Sequence, residues 1–237
     1  MEQRGGVTDV AIGAILGMVS SGRLSAGDKL PREKELAAQL GLSRNSLREA
    51  VRALTILRVL EPRQGDGTYV TSLQPHLLTE AVALVTDLMS ERAVAELYQV
   101  RRILEAEATM MASIRITPED LATLGRLVDE LGAAKDPEQF IDIDGAFHNL
   151  VASASGNQVL ASLLRSLSSR TMRARRWRAL AEAGSLPRTV EQHRAIHAAI
   201  VRGDPEVARA AAVIHVAEGE NWLREHIDEP GLDTKRG

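Results

Sequence analysis

Several residue types are absent or scarce in this sequence of 237 residues. It contains no cysteine, which excludes disulfide bonds and thiolate metal ligands and is consistent with a reducing cytoplasm. Aromatic residues make up only 3% of the chain, so its core must be built from leucine, isoleucine, valine and alanine, which favours helices. No apolar run approaches the roughly 18 residues of a membrane span, and no signal-peptide pattern opens the sequence. We therefore expect a cytoplasmic protein without a membrane-spanning segment.

Charge is distributed unevenly along the chain. The formal net charge is −3, but residues 1–75 carry 10 lysines and arginines against 8 acidic residues. The remaining residues carry 19 basic residues against 24 acidic ones. Such asymmetry indicates that the front part meets DNA and that the rest of the chain has a different task.

Residues 30–70 form the most informative stretch, and their pattern predicts a helix, a turn, a second helix and a hairpin. Pro31 marks the start of the first helix, and Gly41 supplies the turn after it. The second helix opens at Ser43, whose hydroxyl can cap it, and ends near residue 57. The glycines of Gly65-Asp66-Gly67 punctuate the hairpin, which we interpret as the wing of a helix-turn-helix domain.

Three arginines share one side of this second helix, because Arg44, Arg48 and Arg52 are spaced i, i+4, i+8. Apolar residues form a neighbouring stripe at core-facing spacing. A helix that buries one stripe and exposes guanidinium groups beside it suits a DNA groove, since arginine binds guanine edges and phosphates. Spacing alone also allows a solvated, salt-bridged face, because Glu49 is interleaved.

The chain beyond residue 75 is predicted to be almost entirely helical. Caps and breaks divide it into helices at roughly 76–90, 91–114, 118–133, 137–155, 157–182, 187–202 and 205–227. The expected fold is mainly α, with a winged helix-turn-helix domain at residues 1–72 and an all-helical bundle of six to seven helices at residues 76–229. Residues 71–75 are interpreted as a linker and residues 230–237 as a frayed tail.

A second group of polar residues lies in the helical part. Asp144 and His148 are four residues apart, so a helix presents both on one face beside an apolar stripe. His193 and His215 follow on separate predicted helices. Three imidazoles and one carboxylate suit a divalent ion such as zinc, nickel or manganese. From spacing alone an ordinary hydrogen-bonded helical pair remains open, and His197 competes because it lies four residues after His193.

The front part resembles the GntR family of bacterial transcription regulators. The resemblance rests on Gly22-Arg23-Leu24, Gly27-Asp28-Lys29-Leu30-Pro31, Glu33-Lys34-Glu35-Leu36-Ala37, Leu40-Gly41-Leu42-Ser43-Arg44, Leu47-Arg48-Glu49-Ala50, Leu54 and Gly65-Asp66-Gly67-Thr68-Tyr69-Val70. It implies DNA contacts from Lys34, Arg44, Arg48, Gln64 and Gly65, with phosphates held at Asn45 and Ser46. We expect Arg44 and Arg48 to read bases and Arg52 and Lys34 to position the protein.

Residues 76–226 resemble the FCD ligand-binding domain of the FadR subfamily. The matching residues are Arg101, Leu104, Glu105, Asp144, Phe147, His148, Gly156, Asn157, His193, Ile196, Gly203, Asp204 and His215. The resemblance implies a divalent ion, zinc before nickel or manganese, on Asp144, His148, His193 and His215. It also implies a small carboxylate effector, for which we select Arg101, Arg170, Trp177 and Thr189.

These resemblances predict a regulator that is not an enzyme. We expect a repressor that binds a pseudo-palindromic operator in double-stranded DNA as a homodimer and is released by a small acid. The arginine-rich helix around Trp177 resembles members that respond to sugar acids such as galactonate or uronates, although most of its arginines should be solvated. Two alternatives are a metal-dependent hydrolase that uses the Asp/His cluster and an architectural DNA binder whose helical domain only dimerises.

Overall fold

The computed structural model describes residues 6–182 and 184–226, of which 78, 80, 81, 84, 87, 91, 92, 169 and 170 are described by their backbone alone. The predicted frayed tail at residues 230–237 lies outside this part of the chain. The backbone divides into two compact units, residues 1–81 and 82–237. This boundary falls within a helix, some residues after the linker expected at 71–75.

The first unit contains helices α1 (Val7–Ser20), α2 (Glu33–Leu40) and α3 (Arg44–Ile56) and strands β1 (Leu60–Arg63) and β2 (Gly67–Val70). The two strands pair antiparallel, with Leu60 opposite Val70, and form the wing. A core of aliphatic side chains, including the fully buried Ile15, Leu47 and Leu54, joins the helices to the wing. The predicted helix-turn-helix with its wing is thereby confirmed.

Helix α2 begins at Glu33, and the prediction that it starts at Pro31 is wrong. The segment that leads to Glu33 pairs with the wing at Lys29 and Leu30. The Leu30 amide donates to the Thr68 carbonyl at 2.8 Å, and Lys29 forms a bridge with Tyr69. This pairing keeps Lys29 and Leu30 extended, so Pro31 lies in the segment before the helix and not in its first turn.

Within residues 75–182 and 184–226 the structure contains seven helices, as expected for a helical bundle. They are α4 (Pro75–Asp87), α5 (Glu91–Arg115), α6 (Pro118–Ala133), α7 (Pro137–Ala154), α8 (Gln158–Ala181), α9 (Ser185–Arg202) and α10 (Pro205–His226). Helix α5 packs along α10, α7 lies between α6 and α8, and α9 contacts α6 and α10. Phe147, Leu124 and Ile196 lie in the core between them.

Helix α9 begins two residues earlier than predicted, at Ser185. Gly184 precedes it in the left-handed region with a φ of 86°, a conformation that favours glycine. Pro187 therefore falls inside the first turn, where the missing N–H disrupts no helical hydrogen bond. This earlier start places Ser185 within the bundle.

Candidate nucleic-acid interface and metal centre

The N-terminus of α3 is built to present polar groups to solvent. The Ser43 hydroxyl accepts from the Ser46 amide at 3.0 Å and so caps the helix. Leu47, Ala50 and Leu54 of α3 are buried, whereas Arg44, Asn45 and Arg48 are exposed. The helix thus buries one side and exposes the side that carries the predicted DNA contacts.

Two of the three α3 arginines have acidic neighbours. Arg48 Nε lies 3.6 Å from Glu33 Oε2, and Arg52 Nη1 lies 2.8 Å from Glu49 Oε1. All four side chains are substantially exposed, and such pairs contribute only about 0–1 kcal/mol each. A DNA phosphate or a guanine can therefore replace these acidic partners at little cost.

The tip of the wing is exposed and its shape is fixed from below. Gln64 and Gly65 form the tip, where Gly65 has a φ of 75°. Asp66 accepts from Lys29 Nζ at 2.5 Å and from the Tyr69 hydroxyl at 2.5 Å. These contacts lower the pKa of the Asp66 carboxyl, so it stays ionised at the base of the tip.

Three helices of the second unit bring the predicted metal ligands together. One candidate ligand atom from each of Asp144, His148, His193 and His215 lies within 4.8 Å of the others. Asp144 Oδ1 is 3.1 Å from His193 Nε2 and 3.5 Å from His148 Nε2, and His148 Nε2 is 3.2 Å from His215 Nε2. This spacing is close to what a zinc ion requires, since its ligands stand at about 2.0–2.2 Å from the metal.

The other ring nitrogen of each histidine contacts an acceptor outside the cluster. His148 Nδ1 lies 3.0 Å from Glu105 Oε2, and His193 Nδ1 lies 2.8 Å from the Thr189 carbonyl. His215 Nδ1 lies 2.9 Å from Gln192 Oε1. When each Nδ1 carries a proton that it donates to its acceptor, each Nε2 presents a lone pair to the centre of the cluster, as metal-binding histidines do.

Both buried carboxylates of the site are held in the ionised form. Burial opposes ionisation of Asp144, but the charges of Arg175 and His148 outweigh it and hold its pKa well below the usual range. Arg175 Nη1 contacts Asp144 Oδ2 directly. Burial also opposes ionisation of Glu105, whose pKa is nevertheless lowered by Arg101 and His148. The site therefore keeps its negative charge inside the bundle.

The histidines respond to this negative charge in different ways. Burial opposes protonation of His148, but Glu105 and Asp144 raise its pKa overall. Burial lowers the pKa of His215 well below its usual value, and the neighbouring His193 and His148 lower it further. The cluster thus combines a neutral imidazole with a position that attracts positive charge, and a divalent cation satisfies both.

Unsatisfied polar atoms concentrate at this site. Among the described side chains, the buried atoms without a hydrogen-bond partner are Asp144 Oδ1, Arg175 Nε, Ser185 Oγ, His193 Nε2 and Arg209 Nε. Two of these five atoms belong to the cluster, and two more line the cavity beside it. Buried polar groups are normally satisfied in native proteins, so the donor set fits a metal with a polar ligand next to it.

The cavity beside the cluster is lined by both apolar and charged side chains. The volume that the centres of water molecules can occupy in this cavity is about 40 Å³. Its lining consists of Tyr98, Arg101, Phe140, Ile141, Asp144, Arg175, Arg178, Ala179, Ser185, Leu186, Thr189, His215, Val216 and Gly219. The predicted effector residues Arg101 and Thr189 are part of this lining. Arg175 and Arg178 were not singled out from the sequence, because six arginines crowd residues 165–178 without a visible preference for one face.

The remaining two effector candidates are placed differently. Trp177 does not line this cavity; its indole packs against Trp222, with ring centroids 4.4 Å apart, and His226 stacks on Trp222 at 4.5 Å. Helical spacing suggested Trp177 because it falls near Arg170 on α8, beside the apolar stripe of that helix. The side chain of Arg170 lies outside the described part of the chain.

Family comparisons cover both units. Residues 8–70 match the family described as bacterial regulatory proteins, gntR family, and residues 96–218 match the FCD domain. The HTH-type transcriptional regulator LutR of Bacillus subtilis (strain 168) is 32% identical over 218 residues, which cover 90% of this chain and 99% of LutR. The chain belongs to the GntR family.

Other GntR relatives are similar over nearly the whole chain. The Escherichia coli (strain K12) putative L-lactate dehydrogenase operon regulatory protein is 31% identical, covering 89% of this chain and 84% of the relative. The galactonate operon transcriptional repressor of the same strain is 29% identical, covering 86% and 91%. The Streptococcus agalactiae GntR structure has a TM-score of 0.60 and 30% identity, covering 92% of this chain and all of that one.

Membership of the GntR family with an FCD domain makes the protein a DNA-binding transcription regulator, and its family members are not enzymes. The hydrolase interpretation of the Asp/His cluster is therefore set aside. None of the helices in the described part of the chain has the length and apolar content needed to cross a bilayer.

Proposed function

We propose that the protein is a repressor that leaves its operator when a small carboxylate binds beside a divalent metal ion in the FCD domain. The observation that carries this proposal is the convergence of four ligand atoms from Asp144, His148, His193 and His215 within 4.8 Å, next to a cavity lined by arginines. A metal supplies ligand positions for carboxylate and hydroxyl oxygens, and the arginines supply charge and donors for the rest of the acid.

The metal site is proposed to hold zinc first, with nickel or manganese as alternatives. Nitrogen-rich donor sets with one carboxylate suit these ions, and cellular availability helps to decide which of them is bound. The contacts behind the ligands, from Glu105, Thr189 and Gln192, orient the rings before any cation arrives. His197 is left out of the ligand set.

The effector is proposed to be a small organic or sugar acid held by Arg101, Arg175 and Thr189. Arg101 is 2% exposed and already bonds Glu105 and Thr171, so it mainly supplies fixed positive charge. Arg175 still has an unpartnered Nε in the cavity wall and is the better direct donor. Two relatives are named as regulators of an L-lactate dehydrogenase operon and of a galactonate operon, which supports an acid of this class. We retain Arg170 as a candidate and assign Trp177 to the packing behind the cavity.

The DNA-binding face is proposed to act as a homodimer on a pseudo-palindromic operator, one winged helix per half-site. In this scheme Arg44 and Arg48 read bases, whereas Lys34 and Arg52 contact phosphates. The remaining proposed contacts come from Asn45 and Ser46 at the start of α3 and from Gln64 and Gly65 at the wing tip. The effector acts by binding more tightly to the arrangement that does not fit the operator.

Operator binding and acid binding can be tested in one series with purified full-length protein. Fluorescence anisotropy with the DNA upstream of the gene should give salt-sensitive, submicromolar binding that a suitable acid weakens. Melting temperatures should rise with that acid in the presence of zinc and not after EDTA treatment. An architectural binder would instead show the same DNA affinity with and without acids. Its response to acids would also be the same in the Asp144→Ala and His148→Ala variants as in the wild type.

A further inference from the structure

The hydroxyl of Ser185 lies in the wall of the cavity beside the candidate metal centre. This residue is 2% exposed, and its Oγ is buried without a hydrogen-bond partner, yet it lines the cavity beside the metal centre. Three other buried serines in the same bundle, Ser113, Ser155 and Ser166, donate to backbone carbonyls; the Ser166 Oγ donates to the Leu163 carbonyl at 2.7 Å. An unmade hydrogen bond in a buried place is costly, so an unused hydroxyl in a cavity wall points to a ligand.

The start of α9 adds to this polarity. Ser185 is the first residue of an 18-residue helix, and its own amide donates to the Glu182 carbonyl at 3.2 Å. Pro187 has no N–H, so the first turn offers few amide donors, but the helix dipole still attracts acceptor oxygens to this end of the helix. Ser185 therefore stands where a ligand oxygen finds both a hydroxyl and the positive end of a helix.

The charges around Ser185 determine whether a carboxylate oxygen or a neutral hydroxyl binds there. Arg178 bonds Glu182 at 2.7 Å and also contacts Glu218, so its charge is already balanced. Arg188 contacts the same two carboxylates. The surroundings of Ser185 thus offer polar contacts without excess positive charge. Such a site suits a neutral hydroxyl better than a second carboxylate.

Ser185 precedes the candidate ligand His193 by eight residues on α9, which is about 12 Å along the helix. Arg175 Nε is unpartnered, and the same side chain contacts Asp144 of the metal cluster. Apolar side chains, Phe140, Leu186 and Val216 among others, complete the lining of the cavity. We infer that Ser185 is a specificity-determining residue that binds a distal hydroxyl of the effector, whose carboxylate lies at the metal and Arg175. This inference rests on the proposed function and narrows it to a polyhydroxylated acid rather than a three-carbon hydroxy acid.

Ser185→Ala tests this assignment in the zinc-loaded full-length protein. Isothermal titration with galactonate and with L-lactate measures both affinities for the wild type and the variant. We expect galactonate to bind the variant about tenfold more weakly, the size of one lost hydrogen bond, while lactate affinity changes less than about twofold. The matched control Ser166→Ala, which removes a satisfied buried hydroxyl away from the cavity, should leave both affinities unchanged.

A melting experiment without ligand separates a binding role from a structural one. Removing a hydroxyl that makes no hydrogen bond should leave the melting temperature of Ser185→Ala equal to or above that of the wild type, whereas Ser166→Ala should lower it. Ser185→Cys, which keeps the size but donates weakly, should show the same loss of galactonate affinity as Ser185→Ala.

The outcomes separate this inference from the function on which it rests. If the wild type binds galactonate and Ser185→Ala binds it equally well, or loses both acids to the same extent, the role of Ser185 is refuted and the proposed function stands. If the zinc-loaded wild type binds no carboxylate at all, the effector part of the proposed function fails together with this inference. A lowered melting temperature for the ligand-free Ser185→Ala would assign the hydroxyl to structure and overturn the proposal.

Discussion

Asp144→Asn is the sharpest perturbation of the candidate metal centre, because this one carboxylate has two tasks. Its Oδ1 faces the histidines, and its Oδ2 contacts Arg175, whose side chain is 13% exposed. Asparagine keeps the size of the side chain and removes the charge. Breaking a buried ion pair costs about 3–5 kcal/mol, and the amide oxygen that remains places the loss near the lower end, at about 3 kcal/mol. For a chain of this size this corresponds to a melting temperature lower by about 6–12 °C.

Metal affinity should fall more steeply than stability. Loss of a residue behind the ligands typically costs about 10- to 100-fold in metal affinity, so the loss of the only carboxylate ligand should exceed about 100-fold. Competition with a chromophoric chelator measures the zinc affinity, and calorimetric melting of the metal-free protein measures the stability. Asp142→Asn is the matched control, because Asp142 lies on the same helix and is exposed. The reasoning would be refuted by a zinc affinity of Asp144→Asn within threefold of the wild type. A decrease in its melting temperature no larger than that of Asp142→Asn would refute it as well.

Three further predictions concern other parts of the chain. Arg44→Ala should weaken specific DNA binding by about 1–3 kcal/mol and relax sequence preference, whereas Arg52→Ala should weaken all sequences alike, both measured by anisotropy against salt. Gly67→Ala should lower the stability of the first unit by about 1–3 kcal/mol in denaturant unfolding. A φ of 153° is strained for a residue with a Cβ, and this Cβ would displace the end of the Lys29 side chain, whose Cε would lie 2.6 Å away and whose Nζ bonds Asp66. Burial opposes ionisation of Glu218, but Arg178 and other donors lower its pKa below the usual 4.5, so stability should fall as pH drops below about 4.5. Arg178→Ala should weaken this pH dependence in melting curves.

Each of these predictions has an outcome that contradicts it. Equal effects of Arg44→Ala and Arg52→Ala on cognate and unrelated DNA would remove the division between base reading and positioning. An unchanged unfolding midpoint for Gly67→Ala would mean that the wing tolerates a side chain at this turn. Parallel pH profiles for Arg178→Ala and the wild type would show that the lowered pKa of Glu218 has another origin.

Residue periodicity and capping signals were sufficient to predict most of the fold. The helices from α5 to α10 lie within a few residues of their predicted bounds, because Thr117-Pro118 and Asp136-Pro137 are strong local start signals. The start of α2 was mispredicted since a tertiary pairing between Leu30 and Thr68 overrides the local preference of Pro31. Rules based on neighbouring residues in the sequence cannot predict this pairing.

The clustering of the four candidate metal ligands could be predicted from the sequence, whereas the arginines of the cavity could not. Spacing left His197 as an alternative beside His193, and the resemblance to the FCD domain selected Asp144, His148, His193 and His215, which the structure brings together. Arginines are common on solvated helix faces, so the orientation of Arg175 into the bundle depends on how α8 is rotated against α7. The hydroxyl of Ser185 gave no signal in the sequence, because its significance comes from the absence of a partner after folding.

The packing of Trp177 against Trp222 has a consequence for optical measurements. These are the only two tryptophans in the 237-residue chain, and both lie in the second unit, so the first unit contributes no tryptophan emission. An acid that shifts α8 should change this emission directly. Operator DNA, in contrast, is proposed to contact the first unit. A change of tryptophan emission on adding this DNA would therefore require a conformational change that is transmitted from the first unit to the second. One spectrum can thus follow communication between the two halves of the regulator without any attached label.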